Sequence, residues 1–119
     1  MEKIDLDKLI SALIIVESNG KEDAIGDNGL AVGILQIHPI MVHEANRILR
    51  KEVYNYEDRK NKQKSIEIAK IYFQSRLKYN NTFSYEELAR QWNGGPSGHL
   101  KDLTIQYWNK VKAILFKDK

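Results

Sequence analysis

The stretch Leu6-Asp7-Lys8-Leu9-Ile10-Ser11-Ala12-Leu13-Ile14-Ile15-Val16-Glu17-Ser18-Asn19-Gly20 decides the fold. Leu6, Leu9, Ile10, Leu13, Ile14 and Glu17 recur at three- and four-residue spacing, which is the period of a helix. Asp5 suits the N-cap, Asp7 suits the positive end of the dipole, and Asn19-Gly20 is a stop signal. A helix is therefore expected over residues 5–18. Glu17 lies on its apolar stripe and in its last turn. Burial and the negative end of the dipole both disfavour the ionised carboxylate there. A carboxyl that stays protonated near neutral pH is what a general acid for glycoside cleavage requires. The plainer reading, a glutamate reaching out to solvent at a helix end, is decided by its neighbours.

Downstream, residues 21–33 read as turns with a small hairpin at Asp27-Asn28-Gly29, and Gly33–Ile37 as a helical turn. Pro39 fits the first position of a second helix, with Ile40, Ala45, Ile48 and Leu49 on its buried side. After a loop at Lys51–Glu57, a long helix is expected over 58–79, with Ile66, Ala69, Ile71, Phe73 and Leu77 as apolar positions. Ser84-Tyr85-Glu86-Glu87 is a capping box opening a helix that stops at Asn93-Gly94-Gly95-Pro96. A last helix covers about 103–116. The 119 residues suffice for one domain with its own core, mostly helical.

The motifs fall in order along the chain. Glu17-Ser18 is followed by Gly33-Ile34-Leu35-Gln36, then Gln91-Trp92-Asn93-Gly94-Gly95, then Thr104-Ile105-Gln106-Tyr107-Trp108. This resembles the soluble lytic transglycosylase family, which shares a lysozyme-like fold with goose-type lysozymes. That family shows Glu-Ser at a helix end, then Gly-Leu-Met-Gln, Ala-Tyr-Asn-x-Gly and Glu-Thr-x-x-Tyr-Val. The resemblance spans nearly the whole chain and implies an α+β, predominantly helical, lysozyme-like domain over residues 1–119. It implies that Glu17 is the catalytic acid/base and that Ser18 helps orient the site. It further implies that Gln36, Asn93 and Gly95 line the sugar cleft and that Tyr107 hydrogen-bonds near Glu17. Leu35 stands for the family's methionine, Gln91-Trp92 for Ala-Tyr, and Leu103 for the opening glutamate of the last motif. Trp92 keeps an aromatic wall for sugar stacking without the phenol hydroxyl. Trp108 offers a second flat face or plain core packing.

The function implied is cleavage of the MurNAc–GlcNAc β-1,4 bond of peptidoglycan by a lytic transglycosylase, giving 1,6-anhydro-MurNAc ends. Such an enzyme uses one carboxyl, whereas most glycosidases use two. Asp27 and Asp23 are the candidates for a second, which would serve a lysozyme using water. Asp27 is equally a good turn residue. A catalytically idle wall-binding domain is the further alternative, against which Glu17 and Gln36 stand intact.

Composition narrows the rest. With no cysteine there is no disulfide framework, thiol nucleophile or thiolate zinc site. His43-Glu44 begins a zincin-like motif but Arg47 occupies the second histidine position, and His38 and His43 are five apart, so no metal or other cofactor is expected. His99 reads as a loop residue near the glycine turn. Asn93–Gly98 lacks the ending of a phosphate loop. The net charge of +3 is spread out, and its cluster at Arg59, Lys60, Lys62 and Lys64 reads as a solvated helix face. No recognition helix stands out, so nucleic acid is not the expected partner. A monomer is expected, acting on peptidoglycan strands in the periplasm, outside the cell or from a phage particle. Leu9–Val16 is too short to span a bilayer and lacks the flanks of a signal peptide, so delivery by lysis, virion or another route is expected.

Overall fold

The computed structural model describes residues 3–117. Helix α1 runs Leu6–Ser18, with the Asp5 carboxylate accepting from the Lys8 amide at 3.2 Å. It ends at Asn19, left-handed at φ 56°, whose N–H closes onto the carbonyls of Ile14 and Ile15. Leu9, Ile10 and Leu13 are buried, so the predicted stripe is the inner face. The helix packs against three later ones: α3 (Lys62–Tyr79), α4 (Tyr85–Gly94) and α5 (Ile105–Leu115). Leu13 is fully buried; its truncation to alanine would cost about 2–5 kcal/mol.

Two short strands follow α1. β1 (Ile25–Gly26) pairs antiparallel with β2 (Ala31–Val32), Ile25 opposite Val32. The turn between them uses left-handed Asp27, Asn28 and Gly29, as expected of Asp-Asn-Gly. Gly33–Ile37 departs from the expected helical turn. It doubles back, with a Val32–Ile37 bridge and Gln36 left-handed at φ 50°.

α2 (Pro39–Leu49) begins at the proline. Its inner face is Val42, Ala45 and Asn46; of the four expected positions only Ala45 is fully buried. Ile40 is 75% exposed, Leu49 39% exposed and Ile48 half-buried. The reason is Asn46, which is buried because its amide holds the next loop. It accepts from the N–H groups of Val53 and Tyr54 and donates to the Tyr54 carbonyl. A polar residue thus rotates the buried arc away from the hydrophobic pattern.

The third helix starts at Lys62, four residues later than expected, with Asn61 as its cap. A capped 3-10 turn over Tyr56–Lys60 precedes it. Here Arg59 corrects the solvated-face reading, because its guanidinium donates to the carbonyls of Leu30 and Ile37 at 2.9 and 3.0 Å. The turn therefore clamps the hairpin. Ser65, Ile68, Ala69, Tyr72 and Phe73 form the buried face of α3, while Ile66, Ile71 and Leu77 lie at its margins. The capping box at Ser84 and Glu87 is present, and α4 ends at Gly95, φ 91°. A 3-10 turn (Asp102–Thr104) leads into α5. Among the described residues no helix is long and apolar enough to cross a membrane.

Candidate active site

The C-terminal end of α1 opens into a cleft of about 640 Å³ walled by the hairpin, the start of α2, the end of α4 and α5. Glu17 is carried there as the apolar stripe of α1 runs out of core. Its Oε2 accepts a 2.8 Å hydrogen bond from the Tyr107 hydroxyl, from the first turn of α5. Glu17 is pushed up from 4.5 to about 7. Burial is the main cause. The Tyr107 bond opposes it, the Asp27 charge adds to it, and His38 opposes it more weakly. The phenol of Tyr107 is raised well above its usual range by burial and by Glu17, so it remains a donor. The carboxyl is thus half-protonated near neutral pH, with a donor fixed to receive its ionised form.

Gln36 lines the same cleft. Its side-chain N–H groups donate to the carbonyls of Ala24 and Gly33 at 3.1 and 3.0 Å. Both donors are therefore spent on the hairpin, and the side-chain oxygen is what remains to offer a hydroxyl. That oxygen sits against Gly26, where an added Cβ would collide with it. Trp92 is half-buried, tilted on Phe73 and edge-on to Tyr72 at centroid separations of 5.5 and 5.9 Å. Its packing fixes the ring as a wall of the cleft, beside Asn93 and Gly95.

Other expected residues lie elsewhere. Ser18 is not in the cleft lining; its hydroxyl donates to the Ile34 carbonyl at 2.8 Å and accepts from Gly20 N–H, tying α1 to the Gly33–Ile37 turn. That is an orienting position rather than a contact position. Asp23 is exposed and outside the cleft, whereas Asp27 lines it. Trp108 is buried in the core against Phe116. His99 is tied up with Gln91 and the Phe83 edge.

The cleft also holds His38, Met41, Glu44, Tyr72 and Lys110, none of them expected there from the sequence. In sequence, His38 and Glu44 stand out only as parts of incomplete metal motifs. Tyr72 sits at helical register with the buried face of α3, which marks it as core and says nothing of a cleft. Lys110 follows Tyr107 by three residues, a same-face spacing that could have signalled it.

Against known families, the model of the transglycosylase SLT domain matches residues 2–115. No curated protein matches the chain.

Proposed function

The chain belongs to the transglycosylase SLT domain family, and from that membership we propose that it cleaves the glycan strands of peptidoglycan with Glu17 as sole acid and base. Its helical body and two-stranded sheet form the lysozyme-like α+β fold of that family. The whole chain is read as one catalytic domain acting on the cell wall. The observation that carries the assignment is Glu17 itself: a cleft carboxyl raised to about 7 and bonded to Tyr107.

In the first step Glu17 gives its proton to the glycosidic oxygen between MurNAc and GlcNAc, and the C1–O bond breaks with the electron pair leaving on that oxygen. Tyr107 stabilises the carboxylate that remains. In the second step the muramyl 6-hydroxyl oxygen bonds to C1 and its proton passes to Glu17. The enzyme is restored and a 1,6-anhydro end is formed, with no water consumed. Trp92 offers its ring to a sugar face; Gln36 and Asn93 offer polar contacts, and Gly95 leaves room for the strand.

One observation favours a second reading, hydrolysis by water: Asp27 lines the same cleft as Glu17. Mass spectrometry of fragments released from purified peptidoglycan by wild type and Glu17→Gln separates the two. Anhydro-ended fragments from wild type alone support the transglycosylase. Reducing-end fragments mean a lysozyme. A Glu17→Gln protein that cleaves at the wild-type rate overturns the assignment of Glu17.

A further inference from the structure

Two cleft side chains have no place in the steps above, although each bears on Glu17. His38 Nε2 and Asp27 Oδ2 lie 2.8 Å apart. They come from different elements, Asp27 from the hairpin turn and His38 from the residue before α2, and both line the cleft with Glu17.

Neither is explained by the local backbone. His38 is extended, as a residue before proline prefers to be, but its side chain makes no cap bond to α2. Its ring bonds Asp27 instead. Asp27 is left-handed at φ 47° and is followed by left-handed Asn28. Asparagine or glycine would serve such a turn equally well. A carboxylate there gains the imidazole as partner and lines the cleft.

We propose that His38 is a positioning residue of the reaction: it fixes the Asp27 carboxylate against the cleft, where that charge meets the positive charge developing on the reacting sugar. The proposal rests on the reading of Glu17 as the acid. A glycosidic bond breaks through an oxocarbenium-like state, so a carboxylate held in place beside it lowers the barrier without forming a bond. A free carboxylate on a hairpin turn would first have to be ordered. The imidazole supplies that order in advance.

The two partners act on Glu17 with opposite sign. The Asp27 charge raises its proton affinity and His38 lowers it, behind the larger influences of burial and Tyr107. The titratable groups that share the cleft with Glu17 are Tyr107 and Lys110 from α5, Asp27 from the hairpin, His38 ahead of α2, Glu44 from α2 and Tyr72 from α3, of which Tyr107, Asp27 and His38 act on it. Removing either partner therefore moves the alkaline limb of activity in a direction fixed in advance.

The test is steady-state cleavage of purified peptidoglycan across pH by wild type, Asp27→Asn, His38→Ala, His38→Gln and Glu17→Gln, with thermal melting of each. His38→Ala is expected to lower kcat on the order of tenfold with KM little changed, the worth of one charged hydrogen bond. His38→Gln, whose amide can donate to Asp27, should recover most of kcat. The alkaline limb should move down in Asp27→Asn and up in both His38 variants. A double variant carrying Asp27→Asn and His38→Ala should be no worse than the worse single one. The proposal is overturned if His38→Ala keeps wild-type kcat while Glu17→Gln is dead, a result that leaves the Glu17 reading standing. It is also overturned if kcat and melting temperature fall together and His38→Gln restores neither. An active Glu17→Gln overturns the underlying reading itself.

Discussion

The Tyr107 hydroxyl donates to Glu17 Oε2 at 2.8 Å, joining the end of α1 to the start of α5 across 90 positions of sequence. The bond favours the carboxylate over the acid, so it strengthens as Glu17 gives up its proton. Tyr107→Phe removes the donor and little else. A hydrogen bond to a charged group contributes about 1.5–3 kcal/mol, so kcat should fall roughly ten- to hundredfold. With the downward influence gone, Glu17 should titrate above its present value of about 7, and the alkaline limb of kcat should move up. A pH profile of wall cleavage checks both. An unmoved limb with an unchanged plateau would make the bond structural only.

The same carboxyl sets a pH dependence of stability. Its folded value of about 7 lies above the 4.5 of the unfolded chain. For a carboxyl shifted upward, the folded state binds the extra proton. The protonated form's contribution is fully present below about 4.5 and is lost as pH rises through about 7. The shift corresponds to about 3 kcal/mol between those limits, an upper figure because Glu17 keeps some solvent contact. Glu17→Gln carries no such charge. It should therefore melt above wild type at pH ~8 and close to it at pH ~4. Calorimetry at the two pH values decides it; equal melting at both would mean that burial does not hold the proton.

Gly33 is left-handed at φ 87°, and a Cβ built there collides with the Arg59 carbonyl. Gly20 has nearly the same φ, 85°, with nothing near an added Cβ. The pair separates backbone strain from steric clash. Gly20→Ala should cost about 1 kcal/mol, from strain alone. Gly33→Ala should cost about 3 kcal/mol or more, because the clamp of Arg59 on the hairpin must also yield. Urea midpoints of the two variants measure the difference. Since that clamp holds the carbonyls of Leu30 and Ile37, three residues after Asp27 and one after Gln36, Gly33→Ala should also lose activity at temperatures where it remains folded.

These positions mark where the sequence was legible. Asp5, the apolar stripe and Asn19-Gly20 defined α1 almost to the residue, because caps and period are local. The capping box at Ser84 and the Asp-Asn-Gly turn were legible for the same reason. Asn46 was not. Its burial comes from satisfying three backbone groups of Val53 and Tyr54, which hydropathy cannot show, and it carried Ile40 and Leu49 outward. Nor was the contact of Arg59 with Ile37, 22 positions apart. In the site, the ordered motifs pointed to Glu17, Gln36, Trp92, Asn93, Gly95 and Tyr107, all of which line one cleft. Ser18 and Asp23 share the neighbourhood in sequence but not the lining. The pairing of His38 with Asp27 was not legible, because the two are 11 positions apart and no local spacing rule joins them.

Tyr72 carries a cost that can be removed. It lines the cleft edge-on to Trp92, and its hydroxyl is buried without a hydrogen-bond partner among the described residues. Burial also pushes its phenol up, so it stays neutral and keeps an unused donor. An unsatisfied buried hydroxyl costs about 1–3 kcal/mol. Tyr72→Phe removes that atom and preserves the edge-on contact with Trp92. It should stabilise the protein by about 1 kcal/mol, a rise in Tm of about 3–5 °C for a chain of this size. Because the oxygen is shielded from solvent, sugar does not reach it and kcat and KM should stay unchanged. A lower Tm would mean that the hydroxyl finds a partner in the folded protein. A higher Tm with a raised KM would mean that the cleft opens on binding and offers this oxygen to the glycan.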